Sequence, residues 1–125
     1  GSGHKHAELM MIMLKRDREA NIEKFLVHLD SWCDLLFSEI YRRLKPGKTY
    51  PAYGSALNDA NLIAALPTAV PALKALHALR LESSVAHPRS QKTGKPTRRL
   101  KHHDYHKLRK QLVLGFDEIE GAVIP

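Results

Sequence analysis

The sequence predicts a mainly α-helical protein: a small bundle of one long N-terminal helix, two short central helices and a C-terminal helix, with a projecting basic loop or hairpin. Three observations lead there. Ile22, Leu26, Leu29, Cys33, Leu36 and Ile40 recur at alternating spacings of 4 and 3, the seam of an amphipathic helix. The stretch 60–73 carries no charge and is rich in Ala and Leu, as core is. Nearly all of the excess positive charge lies between His87 and Lys110. A chain of 125 residues, 43% apolar and 26% charged, is expected to fold as a single domain, 1–125, around one modest core.

Each element has its own signals. Phe25, Trp32 and Phe37 widen the first helix's seam on both flanks, and Glu23, Asp30 and Asp34 are expected to face away from it. The helix either starts afresh behind an Asn21 cap or reaches back through 15–19 to Leu9. Pro46-Gly47 ends it, because proline cannot continue the hydrogen-bond ladder and disfavours α geometry at the residue before it. Residues 48–54 read as a loop, punctuated by Pro51 and Gly54, with Tyr50 and Tyr53 packed on the body. Ser55 is a plausible cap for a short helix, 55–66, stopped by Pro67. Thr68 would cap a third helix over 69–81, with Pro71 tolerated in its first turn.

Residues 82–97 hold few apolar side chains but Pro88, Gly94 and Pro96, so a loop or hairpin is expected, mobile when unbound. The last helix starts near Arg98 or Asp104, with Leu108, Leu112, Phe116 and Ile119 as its apolar stripe. Gly115 is a point where it would break or bend, and Asp117 would recap the remainder. An unbroken last helix places its bases early and its acids late, Asp117, Glu118 and Glu120. That opposes the helix dipole by some ~0.3 kcal/mol or more per exposed charge near an end.

The segment 87–110 holds nine Lys/Arg and one acid, Asp104, a net of +8, whereas the rest of the chain holds 11 Lys/Arg and 12 Asp/Glu, a net of −1. A near-neutral body with one dense cationic patch suits a polyanion, and phosphate backbones are the commonest in a cell. Nucleic-acid contact is therefore assigned to Arg89, Lys92, Lys95, Arg98, Arg99, Lys101, Lys107, Arg109 and Lys110. Interspersed Ser, Thr, Gln and Gly add hydrogen bonds and adaptability. Tyr105 and the histidines His87, His102, His103 and His106 are candidates to stack on bases or bond phosphates. His102 and His106 lie one helical turn apart with His103 and Asp104 adjacent, yet Lys101, Lys107 and Arg109 crowd them with like charge, so no metal is expected. No cofactor is implied: there is no glycine-rich phosphate loop, nucleophile elbow or spaced carboxylate pair.

Two resemblances sharpen the alternatives. The run ALKALHALRL…GKPTRR resembles the end of the recognition helix and the wing of winged helix-turn-helix regulators and replication initiators. That resemblance covers about 55–103 and implies that 69–81 would read bases through Lys74, His77 and Arg80, a poor set for the task. The spacing Arg98, four residues, His103, one residue, Tyr105 resembles the catalytic motif of HEPN ribonucleases, all-α toxins of about this size. It implies Arg98 on the phosphate, His103 as acid/base or orienting the 2′-hydroxyl, and Tyr105 at the motif's tyrosine. Arg99 departs from the commoner asparagine there.

The opening Gly1-Ser2-Gly3-His4 reads as an expression scar. Cys33 is the sole cysteine, which excludes an internal disulfide and fits a reducing compartment. The apolar run 9–14 and the uncharged stretch 60–73 fall far short of the roughly 20 residues that a spanning helix needs, so a cytoplasmic protein without a membrane partner is expected. The expected function is nucleic-acid binding, DNA or RNA, without chemistry of its own. Such a chain would serve as a small subunit of a nucleoprotein complex or as a phage or plasmid accessory factor. A homodimer through the exposed part of the 22–40 seam fits the same pattern. The alternatives are a HEPN-like, metal-independent ribonuclease and a helical adaptor docking on an acidic protein.

Overall fold

The computed structural model describes residues 21–82 and 101–122. They form five helices in chain order: α1 (Ile22–Leu44), α2 (Tyr53–Ala56), α3 (Ala60–Ala65), α4 (Ala69–Glu82) and α5 (His102–Gly121). No strand occurs among the described residues. The helical bundle is as the periodicity predicts. None of these helices is long and apolar enough to cross a membrane.

Asn21 caps α1: its backbone is extended and its side chain accepts from the Lys24 N–H at 3.0 Å. The fresh start is therefore the right reading of this end. At the other end the Lys45 carbonyl accepts from the Lys48 N–H at 3.1 Å, and Gly47 has φ +82°. Proline followed by a positive-φ glycine is the pattern of a type II turn, so Pro46-Gly47 stops the helix by geometry as well as by the missing donor.

The whole seam of α1 is buried, together with Phe25 and Phe37. Glu23 and Asp30 are buried as well, at 3% exposure each, against the expectation that they face away. Their positions explain it: Glu23 and Asp30 lie 14 and 7 residues before Phe37, on the same helical stripe. Asp30 is held by α4, whose His77 Nδ1 is 3.1 Å and Arg80 Nε 3.5 Å from its Oδ2. Half-buried Asp34 accepts from the Tyr50 hydroxyl at 2.7 Å.

The segment expected as one helix over 55–66 is two. Tyr53–Ala56 makes one turn, then Asp59 caps Ala60–Ala65 by accepting from the N–H groups of Asn61 and Leu62. Asp59 competes successfully with Ser55 because its carboxylate also pairs with Lys45, tying α3 to the end of α1.

The cap of α4 comes from across the bundle rather than from the Thr68 side chain. Glu118 of α5 accepts from the N–H of Thr68 at 3.0 Å and of Ala69 at 2.7 Å. Gly115 neither breaks nor bends α5 into two, and Asp117 recaps nothing: the helix runs unbroken from His102 to Gly121. The glycine instead lets α4 approach, since a Cβ there would lie 3.0 Å from the Ala69 Cα. With Ala69 beside Gly115, and Leu79 sharing a groove with Asp104, α4 and α5 run antiparallel. The Phe25 and Tyr105 rings meet edge to face at 5.1 Å, placing the start of α5 against the first turns of α1.

Candidate nucleic-acid interface

The start of α5 is built from three local choices. Its first turn is closed by Asp104, whose carboxylate accepts from the Lys101 N–H at 2.9 Å, half of a capping box. A carboxylate in this turn also complements the positive helix end. Tyr105, Leu108, Leu112, Phe116 and Ile119 anchor the inner face in the core. Spacings of 3 and 4 on the buried side leave the outer side to His103, Lys107, Lys110 and Leu114, at i, i+4, i+7 and i+11, all exposed.

Of the nine assigned cations, four lie among the described residues: Lys101 at the N-cap, Lys107 and Lys110 on the outer strip of α5, and Arg109, part-buried, on its flank. No carboxylate pairs with any of the four among the described residues. The fold thus gathers these four cations along the first half of α5 and its N-cap. Arg89, Lys92, Lys95, Arg98 and Arg99 lie outside the described residues, as does 83–97 of the expected basic loop. The chain leaves the described body at Glu82 and re-enters at Lys101, both at the end of the bundle where α5 begins.

Two shallow grooves flank the strip. One, of about 270 Å³, runs between α4 and α5 past Ala75, Leu79, Asp104, Lys107 and Gln111. The other, of about 470 Å³, is lined by His106, Arg109, Lys110, Val113 and Leu114. The Nε of Arg109 is itself buried and has no hydrogen-bond partner among the described residues. Val113 and Leu114 were not visible as site residues in the sequence. The available signal was an apolar pair placed three and four residues beyond Lys110, off the buried stripe.

Three of the finer expectations need correction. Tyr105 does not face a ligand: it is 0% exposed and lies among the core residues. Its place was readable, three residues before Leu108 on the same stripe. His103 is exposed, so the histidine and tyrosine of the HEPN-like pattern point to opposite sides of α5, and Arg98 lies outside the described residues. The base-reading helix of the winged alternative is also occupied otherwise. α4 packs on both α1 and α5, His77 and Arg80 are engaged by Asp30, and Lys74 donates to the Asn58 side chain at 2.7 Å. The wing itself falls mostly outside the described residues.

Among the described residues no three His, Cys, Asp or Glu side chains converge as a metal ion requires. Cys33 is fully buried. Burial, then the nearby Asp30 and Asp34 carboxylates, push its thiol well above the ordinary range, which leaves it a poor nucleophile. No family model, curated protein or solved structure matched the chain.

Proposed function

We propose that this protein binds nucleic acid without catalysis, through the cations of α5 and the basic segment that precedes it. The observation that supports this best is the segregation of charge: a net of +8 in 87–110 against −1 elsewhere, with Lys101, Lys107 and Lys110 exposed on a single helix and unpaired by any carboxylate among the described residues. Long cationic side chains on a rigid rod neutralise successive phosphates and release the counterions condensed on them. A cytoplasmic nucleoprotein subunit or a phage or plasmid accessory factor is the corresponding role.

With Tyr105 buried and His103 exposed, the ribonuclease alternative would rest on Arg98 and His103. The test is a gel-retardation titration of labelled single- and double-stranded DNA and RNA, beside the variant Lys107→Ala/Lys110→Ala. The parent protein is expected to retard nucleic acid, leave it intact, and bind more tightly than the variant. Cleavage of RNA without added metal, lost in His103→Ala, would overturn the non-catalytic reading. Absence of retardation at about 100 mM salt would instead favour an acidic protein as partner.

A further inference from the structure

The exposed strip of α5 ends on a leucine, one turn beyond Lys110. Leu114 is 50% exposed and shares a groove of about 470 Å³ with Val113, His106, Arg109 and Lys110. The volume is within the ~300–1,000 Å³ typical of small-ligand sites. The groove therefore joins two chemistries. Arg109 and Lys110 line it with charged side chains whose donors suit an anion. Val113 and Leu114 offer an apolar wall, and the His106 imidazole a flat ring.

A duplex uses only the first half of this. Its outer surface is a wall of phosphates with the bases stacked inside, so Leu114 would be pressed against anionic backbone and lose its water for no apolar contact. An unpaired strand uses both halves. Its phosphate sits on the guanidinium and ammonium, and its exposed base lies on the apolar wall and the imidazole, as bases do on the platforms of single-strand binders. We infer that the groove between His106 and Leu114 is a nucleotide subsite that makes the protein select single-stranded over double-stranded nucleic acid. This rests on the nucleic-acid reading above and adds the strandedness and the base contact to it.

The experiment compares four probes by fluorescence anisotropy at about 100 mM salt. They are a single strand, an abasic single strand of equal length, a duplex of equal length, and an acidic leucine-containing peptide. The proteins are the full chain and Leu114→Ser, whose folding is checked by circular dichroism. The half-exposed position makes a folded variant the expectation. The single strand should bind more tightly than the duplex and the abasic strand, on the order of tenfold, and Leu114→Ser should reduce its affinity to near that of the abasic strand. If all three nucleic-acid probes bind alike and Leu114→Ser changes none of them, the subsite is refuted while phosphate binding stands. If no nucleic-acid probe binds, both readings fail. Binding of the peptide alone, lost in Leu114→Ser, would assign the groove to an acidic protein.

Discussion

Asp59 does two jobs at the boundary between α1 and α3. It caps α3 through the Asn61 and Leu62 N–H groups, and it pairs with Lys45. The Lys45 hydrogen bond first, and the backbone N–H of Leu62 after it, hold its carboxyl below the ordinary aspartate range. The folded state thus takes up this proton less readily than the unfolded chain. The resulting stabilisation is fully present above about pH 4, the ordinary aspartate value, and is lost as the pH falls through the lower folded-state value. Urea midpoints measured between neutral pH and pH 3 should fall with acid in the parent and fall less in Asp59→Asn. Parallel acid profiles for the two proteins would show that other carboxylates govern the acid limb. Asp30 is the other informative acid. It is buried, and half-buried His77 and Arg80 close on it from α4. Truncating one member of a buried pair strands its partners. Asp30→Ala should therefore lower stability by roughly 3 kcal/mol, read as a shift in the urea midpoint at unchanged slope. A cost below about 1 kcal/mol would place this cluster with ordinary surface pairs.

At the scale of elements, the contact between α4 and α5 explains two sequence features that look like faults in isolation. A glycine inside α5 costs about 1 kcal/mol in helix propensity, and acids near its C-terminus oppose its dipole. Gly115 is the point where α4 comes closest, and Glu118 caps the N-terminus of α4. There its charge favours the positive end of a second helix. Two substitutions separate these roles. Glu118→Ala should destabilise by about 1 kcal/mol, the usual loss for a helix cap. Glu118→Gln should recover part of this, because an amide oxygen still accepts from Thr68 and Ala69 while the charge is gone. Gly115→Val should lower stability by about 1–3 kcal/mol by overpacking against Ala69, despite removing a glycine from a helix. A gain in melting temperature for Gly115→Val would show that the two helices part without cost.

For the whole molecule, the arrangement is a near-neutral body whose cationic segment ends on a rigid helix. Salt dependence is the measurement that reads it. If about six of the nine cations meet phosphates, log affinity for duplex DNA should fall with log salt with a slope near −5. The described residues define the share of α5. Removing Lys107 and Lys110 together should make the slope shallower by about 2. An unchanged slope with unchanged affinity would move the contacts off α5 altogether.

Much of this architecture was legible in the chain. The seam of α1, its stop at Pro46-Gly47, the apolar middle and the stripe of α5 follow from periodicities and backbone chemistry that act over a turn or two of helix, and so can be read without a fold. The charge segregation is likewise a property of the sequence. The pieces that were misread depend on partners far away along the chain. Asp30 turns inward because His77 and Arg80, about 50 residues on, compensate its burial. Glu118 caps Thr68 and Ala69 from 49–50 residues away, and Gly115 packs on Ala69 rather than breaking its helix. Tyr105 differs from these: its place on the buried stripe of α5 was readable locally, and Phe25 of α1 meets its ring there. Local pattern thus determined which helices form and where the charge lies. Only packing between distant helices decided which polar groups are buried, because the energy of burying a polar group depends on what meets it there.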